Sequence, residues 1–262
     1  MKIACIQMEM VMADPDRNYI HAVKEVREAA ANGADVAVLP ETWNVGFFPR
    51  EDLADLADRD GCRTREVFGS LARELGINIV AGSVANLRSD GVYNTCLVFN
   101  RKGECVAEYD KTHLFSPMEE DLFFRKGDHV STFMLDGLRC GVIICYDVRF
   151  PELTRTMTVG GLDVLFMVSQ WPLVRVSHLE ALTAARAIEN QMFVACCNSA
   201  EKSAGTVYGG HSAVIDPWGV RLAQMDAEPG ILYATIDPSI LDGIRKSINV
   251  FADRRPELYK VN

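Results

Sequence analysis

Cys145 stands where an apolar run stops. Leu138-Arg139-Cys140-Gly141-Val142-Ile143-Ile144 has the short, β-branched character of a buried strand, and Cys145-Tyr146-Asp147-Val148-Arg149-Phe150-Pro151-Glu152 follows it at once with a thiol and ionisable residues. Val142 to Ile144 is too short for an independent helix, and Phe150-Pro151-Glu152 reads as a helix start with Pro in its first turn. The spacing therefore puts Cys145 at a strand-to-helix elbow. There a side chain projects into a cleft, and the unpaired N–H groups of the helix start can bind a developing oxyanion. Taken alone, the stretch is as compatible with a plain buried thiol, because Cys is among the most buried residue types.

Two further strands end in the same way. Val36-Ala37-Val38-Leu39 runs into Pro40-Glu41, and the strand Glu104 to Tyr109 runs into Asp110-Lys111-Thr112-His113. By itself Glu41 is more economically a solvated loop residue. Strands entering one sheet edge bring their ends together, however, so Glu41, Lys111 and Cys145 are less expected by chance as a trio than singly. The trio suffices for acyl transfer: a carboxylate takes the thiol proton, while an ammonium favours the thiolate and stabilises an oxyanion. His113, two residues from Lys111, is a rival base, though a role in orienting the loop suits it better. Glu119-Glu120 is either surface charge or a second carboxylate that keeps Lys111 charged. Trp171-Pro172, after another buried run, is either a packed corner or a wall of the pocket.

Alternating α and β patterns surround these ends. After a strand Ile3 to Met8, Asp14-Pro15-Asp16 starts a helix with Ile20, Val23, Val26 and Ala30 at helical spacing, stopped by Asn32-Gly33. Residues 42–60 read as a loop on the site side with a short helix near Leu53 to Ala57. Val67, Phe68, Leu71, Ala72 and Leu75 mark a helix closed by Gly76, before a strand Ile77 to Ala81. Asn100-Arg101-Lys102-Gly103 is a hairpin turn between strands Val92 to Phe99 and Glu104 to Tyr109. Residues 116–128 read as a loop. A helix from about Pro151 to Val159, a strand Val164 to Val168, a helix from about Val176 to Asn190 and a strand Met192 to Cys197 follow. The C-terminal part reads mostly as hairpin (His211 to Ile215, Val220 to Gln224, Ile231 to Ile236), then a short helix from about Pro238 to Arg245. Gly33-Ala34-Asp35-Val36 and Gly161-Leu162-Asp163-Val164 each join a helix to a strand, a faint echo that suits two similar α/β layers packed together.

Composition narrows the function classes. At 262 residues, 48% apolar and 24% charged, the chain is that of a globular protein with a sizeable core, and residues 1–262 read as a single domain. A net charge of -9 and the lack of a Lys/Arg cluster oppose a nucleic-acid or anionic-membrane partner. The eight cysteines show no CxxC pair or framework spacing, and the histidines show no metal-ligand spacing with them. Neither a metal nor another cofactor is expected. With no signal-like apolar segment at the N-terminus and no membrane-length run, the cytoplasm is the expected location.

Leu39-Pro40-Glu41, Tyr109-Asp110-Lys111-Thr112-His113-Leu114-Phe115, Gly141 to Glu152 around Cys145, Ala185-Arg186-Ala187-Ile188-Glu189-Asn190-Gln191, and Gly210-His211-Ser212 with Asp216-Pro217-Trp218-Gly219 resemble the motifs of the nitrilase superfamily of carbon-nitrogen hydrolases. The resemblance runs from about residue 2 to 259. It implies a four-layer αββα sandwich, Glu41 as general base, Lys111 as oxyanion-stabilising cation, Cys145 as nucleophile and Glu120, rather than Glu119, as the supporting carboxylate. It also implies a homodimer, with the arm 246–262 reaching toward the partner. Cys145-Tyr146-Asp147-Val148-Arg149-Phe150-Pro151-Glu152 and Gln170-Trp171-Pro172 look most like the ω-amidase branch, which hydrolyses the terminal amide of small 2-oxo acids such as 2-oxoglutaramate. On that reading the Tyr146 backbone N–H is the second oxyanion donor, and Trp171, Arg175 and Phe115 are the expected substrate contacts. Arg175 is the candidate for a substrate carboxylate, and Arg149 is expected to pair with an acid and brace the elbow. Other amidase, nitrilase or acyltransferase activity of the superfamily is the near alternative; a thiol redox protein or a non-catalytic binder is the distant one.

Overall fold

The computed structural model describes residues 1–47, 49–200, 202–203 and 205–259. Among these, two mixed sheets form the centre. The first has the order β16 (Gly230–Thr235), β1 (Lys2–Gln7), β2 (Val36–Val38), β4 (Asn78–Arg88), β5 (Gly91–Phe99), β6 (Cys105–Asp110). Two-residue strands β3 (Asp58–Arg59) and β7 (Phe124–Arg125) pair with β4 and β5. The second runs β15 (Arg221–Gln224), β14 (Ala213–Ile215), β11 (Phe193–Asn198), β10 (Val164–Ser169), β9 (Leu138–Ile144), β8 (Thr132–Leu135). A small ribbon joins β12 (Lys202–Ser203) to β13 (Thr206–Val207).

Side-chain alternation assigns the layers. Ile3, Cys5, Val36 and Val38 belong to the cluster between the sheets, with Val142 and Ile144. Their neighbours Ala4, Ile6 and Ala37 pack instead with residues of α1 (Pro15–Ala31) and α3 (Cys62–Leu75). On the far side α5 (Pro151–Thr158) and α6 (Val176–Asn190) cover the second sheet through Met157, Leu179 and Ala187. Strands covered on both faces are buried throughout, which explains their near-continuous apolar runs. The result is the αββα sandwich. Three short helices complete it: α2 (Leu53–Leu56), α4 (Glu120–Phe123) and α7 (Ile240–Ser247).

The echo between the halves has a hydrogen-bonded form. Lys2 N–H donates to Asp35 Oδ2 at 2.7 Å and Arg139 N–H donates to Asp163 Oδ2 at 3.0 Å. Asp35 N–H returns a bond to Lys2 O and Asp163 N–H one to Arg139 O, both at 2.8 Å. Each aspartate ties a residue at the start of a strand, the first of β1 and the second of β9, to the loop entering the next parallel strand, so the two layers are built on one plan.

Four expectations change. Ile20 is 72% exposed while Tyr19 and Ala22 are buried, so the inner face of α1 keeps Val26 from the expected stripe but turns Ile20 to solvent. Helix α3 begins at Cys62 because Asp58 accepts the N–H groups of Arg63 (3.0 Å) and Thr64 (2.8 Å), a cap that apolar spacing does not reveal. The segment 116–128 contains α4 and β7 rather than loop alone. Finally, β16 leaves the C-terminal hairpin and pairs antiparallel with β1, from Lys2 opposite Thr235 to Gln7 opposite Gly230, clasping the two sheets together.

Candidate active site

The three ionisable strand ends meet. Glu41 follows β2, Lys111 follows β6, and Cys145 follows β9 from the other sheet. Lys111 Nζ lies 2.7 Å from Glu41 Oε1 and 2.9 and 2.8 Å from the two oxygens of Glu120, at the start of α4. Glu41 and Glu120 are fully buried, Lys111 is 1% exposed and Cys145 9%. Cys145 has φ +47°, a left-handed conformation that a non-glycine residue holds only when its surroundings enforce it. A 3-10 turn, Cys145–Arg149, forms the elbow before α5, so the Tyr146 N–H lies in a first turn where no intrahelical acceptor exists.

Glu41 owes its placement to residues that the sequence reading did not single out. Asn94 Nδ2, on β5, donates to Glu41 Oε1 at 2.9 Å and to Glu120 Oε1 at 3.4 Å. Gln170 N–H donates to Glu41 Oε2 at 2.9 Å. Strand β4 bulges between Val80 and Ser83, and Ser83 N–H donates to Pro40 O at 3.0 Å while Ser83 Oγ accepts from Thr42 N–H at 2.9 Å. Gly82, at φ +60°, makes the bulge possible: a Cβ there would fall 2.1 Å from Pro40 O. Buried polar residues inside apolar strands, Asn94 above all, were the available signal, since such groups need partners.

A cleft opens over Lys111, Cys145 and Gln170, with Phe47, Phe115, Tyr146 and Trp171 as aromatic walls. Arg149 and Arg175 also line it. The Arg149 guanidinium sits 4.8 Å from the Trp171 ring and that of Arg175 5.3 Å from the Phe115 ring. Neither arginine has a carboxylate partner among the described residues, so the expectation that Arg149 pairs with an acid is corrected. Its side-chain hydrogen-bond partner among them is His178 Nδ1 at 3.3 Å. The elbow is braced instead by Arg186 of α6, which donates to Val148 O at 3.1 and 2.8 Å and also pairs with Glu189. Trp171 is both corner and wall: it is 3% exposed and its Nε1 donates to Arg175 O at 2.7 Å. His113 is stacked on Phe150 at 3.7 Å, with Nδ1 2.8 Å from Asp147 Oδ1.

A family model described as carbon-nitrogen hydrolase matches residues 2–246. The chain belongs to the carbon-nitrogen hydrolase family. Its relatives include the 2-oxoglutaramate amidase of Bacillus subtilis (strain 168), 42% identical over 257 residues and covering 98% of each chain. The omega-amidase NIT2 of Homo sapiens is 34% identical over 273 residues, covering 99% of this chain and 97% of the human one. Among solved structures, XC1258 from Xanthomonas campestris, a CN-hydrolase superfamily protein with an arsenic adduct in the active site, superposes with a TM-score of 0.91 at 29% identity over 100% of this chain and 98% of that one. This carbon-nitrogen hydrolase is thus a nitrilase-superfamily, amide-hydrolysing enzyme.

The electrostatics of the hydrolase site follow from two buried carboxylates around one ammonium. Burial opposes the Lys111 charge, but Glu120 and Glu41 outweigh it and hold the ammonium well above the usual lysine range. Burial, with the Glu41 charge, lifts Glu120 despite the opposing Lys111. Burial likewise raises the Cys145 thiol well above its usual range, the Glu41 charge adds to this, and Lys111 and Ser169 oppose it. At rest Cys145 is therefore a thiol, and a thiol attacks a carbonyl carbon only once a base has taken its proton.

All eight cysteines are free, Cys62 and Cys105 exposed and six buried. No group of His, Cys, Asp and Glu among the described residues could hold a metal, and no described helix is long and apolar enough to cross a membrane. The loop 199–210 reaches the site through Tyr208, which forms a bridge with Pro172 and packs 6.2 Å from the Phe47 ring. Glu201 and Ala204 of that loop, Phe48 of the loop 42–60, and 260–262 of the arm lie outside the described residues.

Proposed function

We propose that this enzyme hydrolyses the terminal amide of a small carboxylic acid, 2-oxoglutaramate or a close analogue, through a thioester on Cys145. The observation that carries the substrate class is the pair Arg149 and Arg175, two guanidiniums without carboxylate partners among the described residues, held by aromatic faces at the edge of the cavity that contains Cys145. Guanidinium forks match carboxylates bidentately. The 2-oxoglutaramate amidase and omega-amidase among the relatives support the same class.

In this mechanism Glu41 takes the Cys145 proton as sulfur attacks the amide carbon. Lys111 Nζ and the Tyr146 N–H hold the oxyanion, and Glu120 keeps Lys111 charged and fixed. The tetrahedral intermediate collapses as Glu41 passes the proton to the departing nitrogen, releasing ammonia. A water deprotonated by Glu41 then attacks the thioester; the C–S bond breaks, the acid leaves, and the proton returns to sulfur. Trp171 and Phe115 pack against the substrate chain. No cofactor enters this cycle.

The reading extends to assembly and location: one domain over 1–262, a homodimer with the arm 246–262 at its interface, and a cytoplasmic enzyme. In the single chain the arm already packs against α5, with Arg155 over the Phe251 ring at 5.2 Å. The test is ammonia release from the purified protein across small amides and nitriles. Turnover highest for ω-amides of acids supports the proposal; turnover of nitriles or of neutral amides alone, or acyl transfer to amines in preference to water, removes it.

A further inference from the structure

Asp147, two residues beyond the nucleophile, is fully buried and receives five hydrogen bonds. One comes from its own elbow: Ile144 N–H donates to Oδ2 at 3.0 Å. The other four come from the opposite sheet. Tyr109 Oη–H donates to Oδ2 at 2.7 Å, and the Thr112 hydroxyl (3.1 Å), the His113 N–H (3.0 Å) and His113 Nδ1 (2.8 Å) donate to Oδ1. Tyr109, Thr112 and His113 flank Lys111 on both sides, while Ile144 flanks Cys145. A single carboxylate thus fastens the segment that carries the ammonium to the turn that carries the sulfur, and the two segments belong to different sheets with no strand pairing between them.

We propose that Asp147 is a positioning residue that sets the separation of the Cys145 sulfur and the Lys111 ammonium and holds Cys145 in its left-handed conformation. Two physical features make it suited to this. The bonds act on both sides of Lys111, so the backbone there can neither slide nor rotate without breaking several at once. The bond from Ile144 N–H to a side chain three residues ahead closes a turn around Cys145 and Tyr146, and the first of these carries φ +47°. Asp147 touches no substrate; it acts through the groups that do. An amide in its place keeps the volume but turns one acceptor oxygen into a donor, so it faces either the Ile144 N–H or, flipped, the His113 N–H without an acceptor, and the strap loosens on one side.

The inference rests on the reading of Lys111 and Cys145 given above, and the experiment separates the two. Turnover and the rate of Cys145 alkylation by iodoacetamide are measured for the wild type, Asp147→Asn, Lys111→Ala and the double variant. A displacement of reacting groups by about 1 Å costs about 100-fold in rate, so Asp147→Asn should lose about 10- to 100-fold in kcat with KM within about threefold of wild type. Its alkylation rate should fall as well, and this effect should largely vanish when Lys111 is already absent, because the two residues then act as one unit. Should Asp147→Asn fail to fold, Tyr109→Phe and Thr112→Val each remove one donor and should reproduce the kcat loss in smaller measure. Unchanged kcat in the variant that folds, or equal fold-losses of alkylation with and without Lys111, overturns the inference alone. A Lys111→Ala enzyme with near-normal turnover overturns the parent reading and this one together.

Discussion

Gln170 and Glu41 are joined twice. The Gln170 backbone N–H donates to Glu41 Oε2 at 2.9 Å, and Gln170 Nε2 donates to the Glu41 carbonyl oxygen at 2.8 Å. One residue thereby fixes both ends of the proposed base, and it does so from the end of β10 in the sheet that does not carry Glu41. Gln170→Met removes the second bond and leaves the first. A hydrogen bond of this kind contributes about 1 kcal/mol, so the melting temperature should fall by about 2–4 °C and kcat, through the loosened base, roughly 5- to 10-fold, as a thermal melt and ammonia-release kinetics would show.

Lys111 separates two buried carboxylates. In the proposed mechanism Lys111→Ala deprives the oxyanion of one donor, which would cost about 100- to 1000-fold in rate, and Glu41 and Glu120 are left facing each other without a counter-charge. Breaking a buried pair in this way costs about 3–5 kcal/mol. Turnover and chemical denaturation should therefore both fall sharply; a variant that loses neither contradicts the arrangement of charges.

The pH dependence follows from the raised Cys145 thiol. Because the folded enzyme holds the proton on sulfur across neutral pH, the thiolate fraction grows about tenfold per pH unit and does not saturate near neutrality. Glu41→Gln removes the negative charge that contributes to this elevation, so the thiol value should move down. Iodoacetamide alkylation followed from pH 6 to 10 should show a rising limb in the wild type and, in Glu41→Gln, a limb displaced to lower pH, while the proposed base role of Glu41 predicts that the same variant loses amide turnover. Glu120 is raised in the fold as well, so its ionised form is disfavoured relative to the unfolded chain. Its contribution to stability is greatest at acidic pH, below its unfolded value, and declines as pH rises toward the folded value.

Arg149 and Arg175 should discriminate between acidic and neutral amides. Loss of a charged hydrogen bond to substrate costs about 1.5–3 kcal/mol, so Arg149→Ala and Arg175→Ala should each raise KM for an ω-amide of an acid roughly 10- to 100-fold and leave a neutral amide of equal length nearly unaffected. Equal effects on both substrates would remove the carboxylate subsite.

Gly82 tolerates no side chain. At φ +60°, with its absent Cβ only 2.1 Å from Pro40 O, Gly82→Ala must push β4 away from the turn that presents Glu41. The expected result is a lower melting temperature together with a kcat loss out of proportion to it, measured by comparing specific activity with the folded fraction.

Local signals were the legible ones. The limits of α1, α5 and α6 emerged from caps and stops such as Asp14-Pro15 and Asn32-Gly33, because these act over a few residues. Glu41, Lys111 and Cys145 were legible for a similar reason: each terminates a buried run. Nonlocal pairing was not. Nothing in Gly230 to Thr235 distinguishes a third strand of a local hairpin from a strand that crosses to pair with β1, since register there depends on a partner more than 200 residues away. Arg186 rather than Arg149 braces the elbow because a guanidinium can serve a carbonyl, an aromatic face or a carboxylate, and only the fold chooses among them. Asn94 was hidden by the apolar strand around it, although a buried amide there already demanded a partner.

The central claim is that the Cys145 sulfur becomes acylated while Glu41 and Lys111 serve it. Intact-protein mass, taken on enzyme quenched in acid during turnover of 2-oxoglutaramate, tests this most directly. The account predicts an adduct on Cys145 equal to the substrate less ammonia, absent from Cys145→Ala, which releases no ammonia. Ammonia released at full rate with no adduct and with Cys145→Ala still active would contradict it.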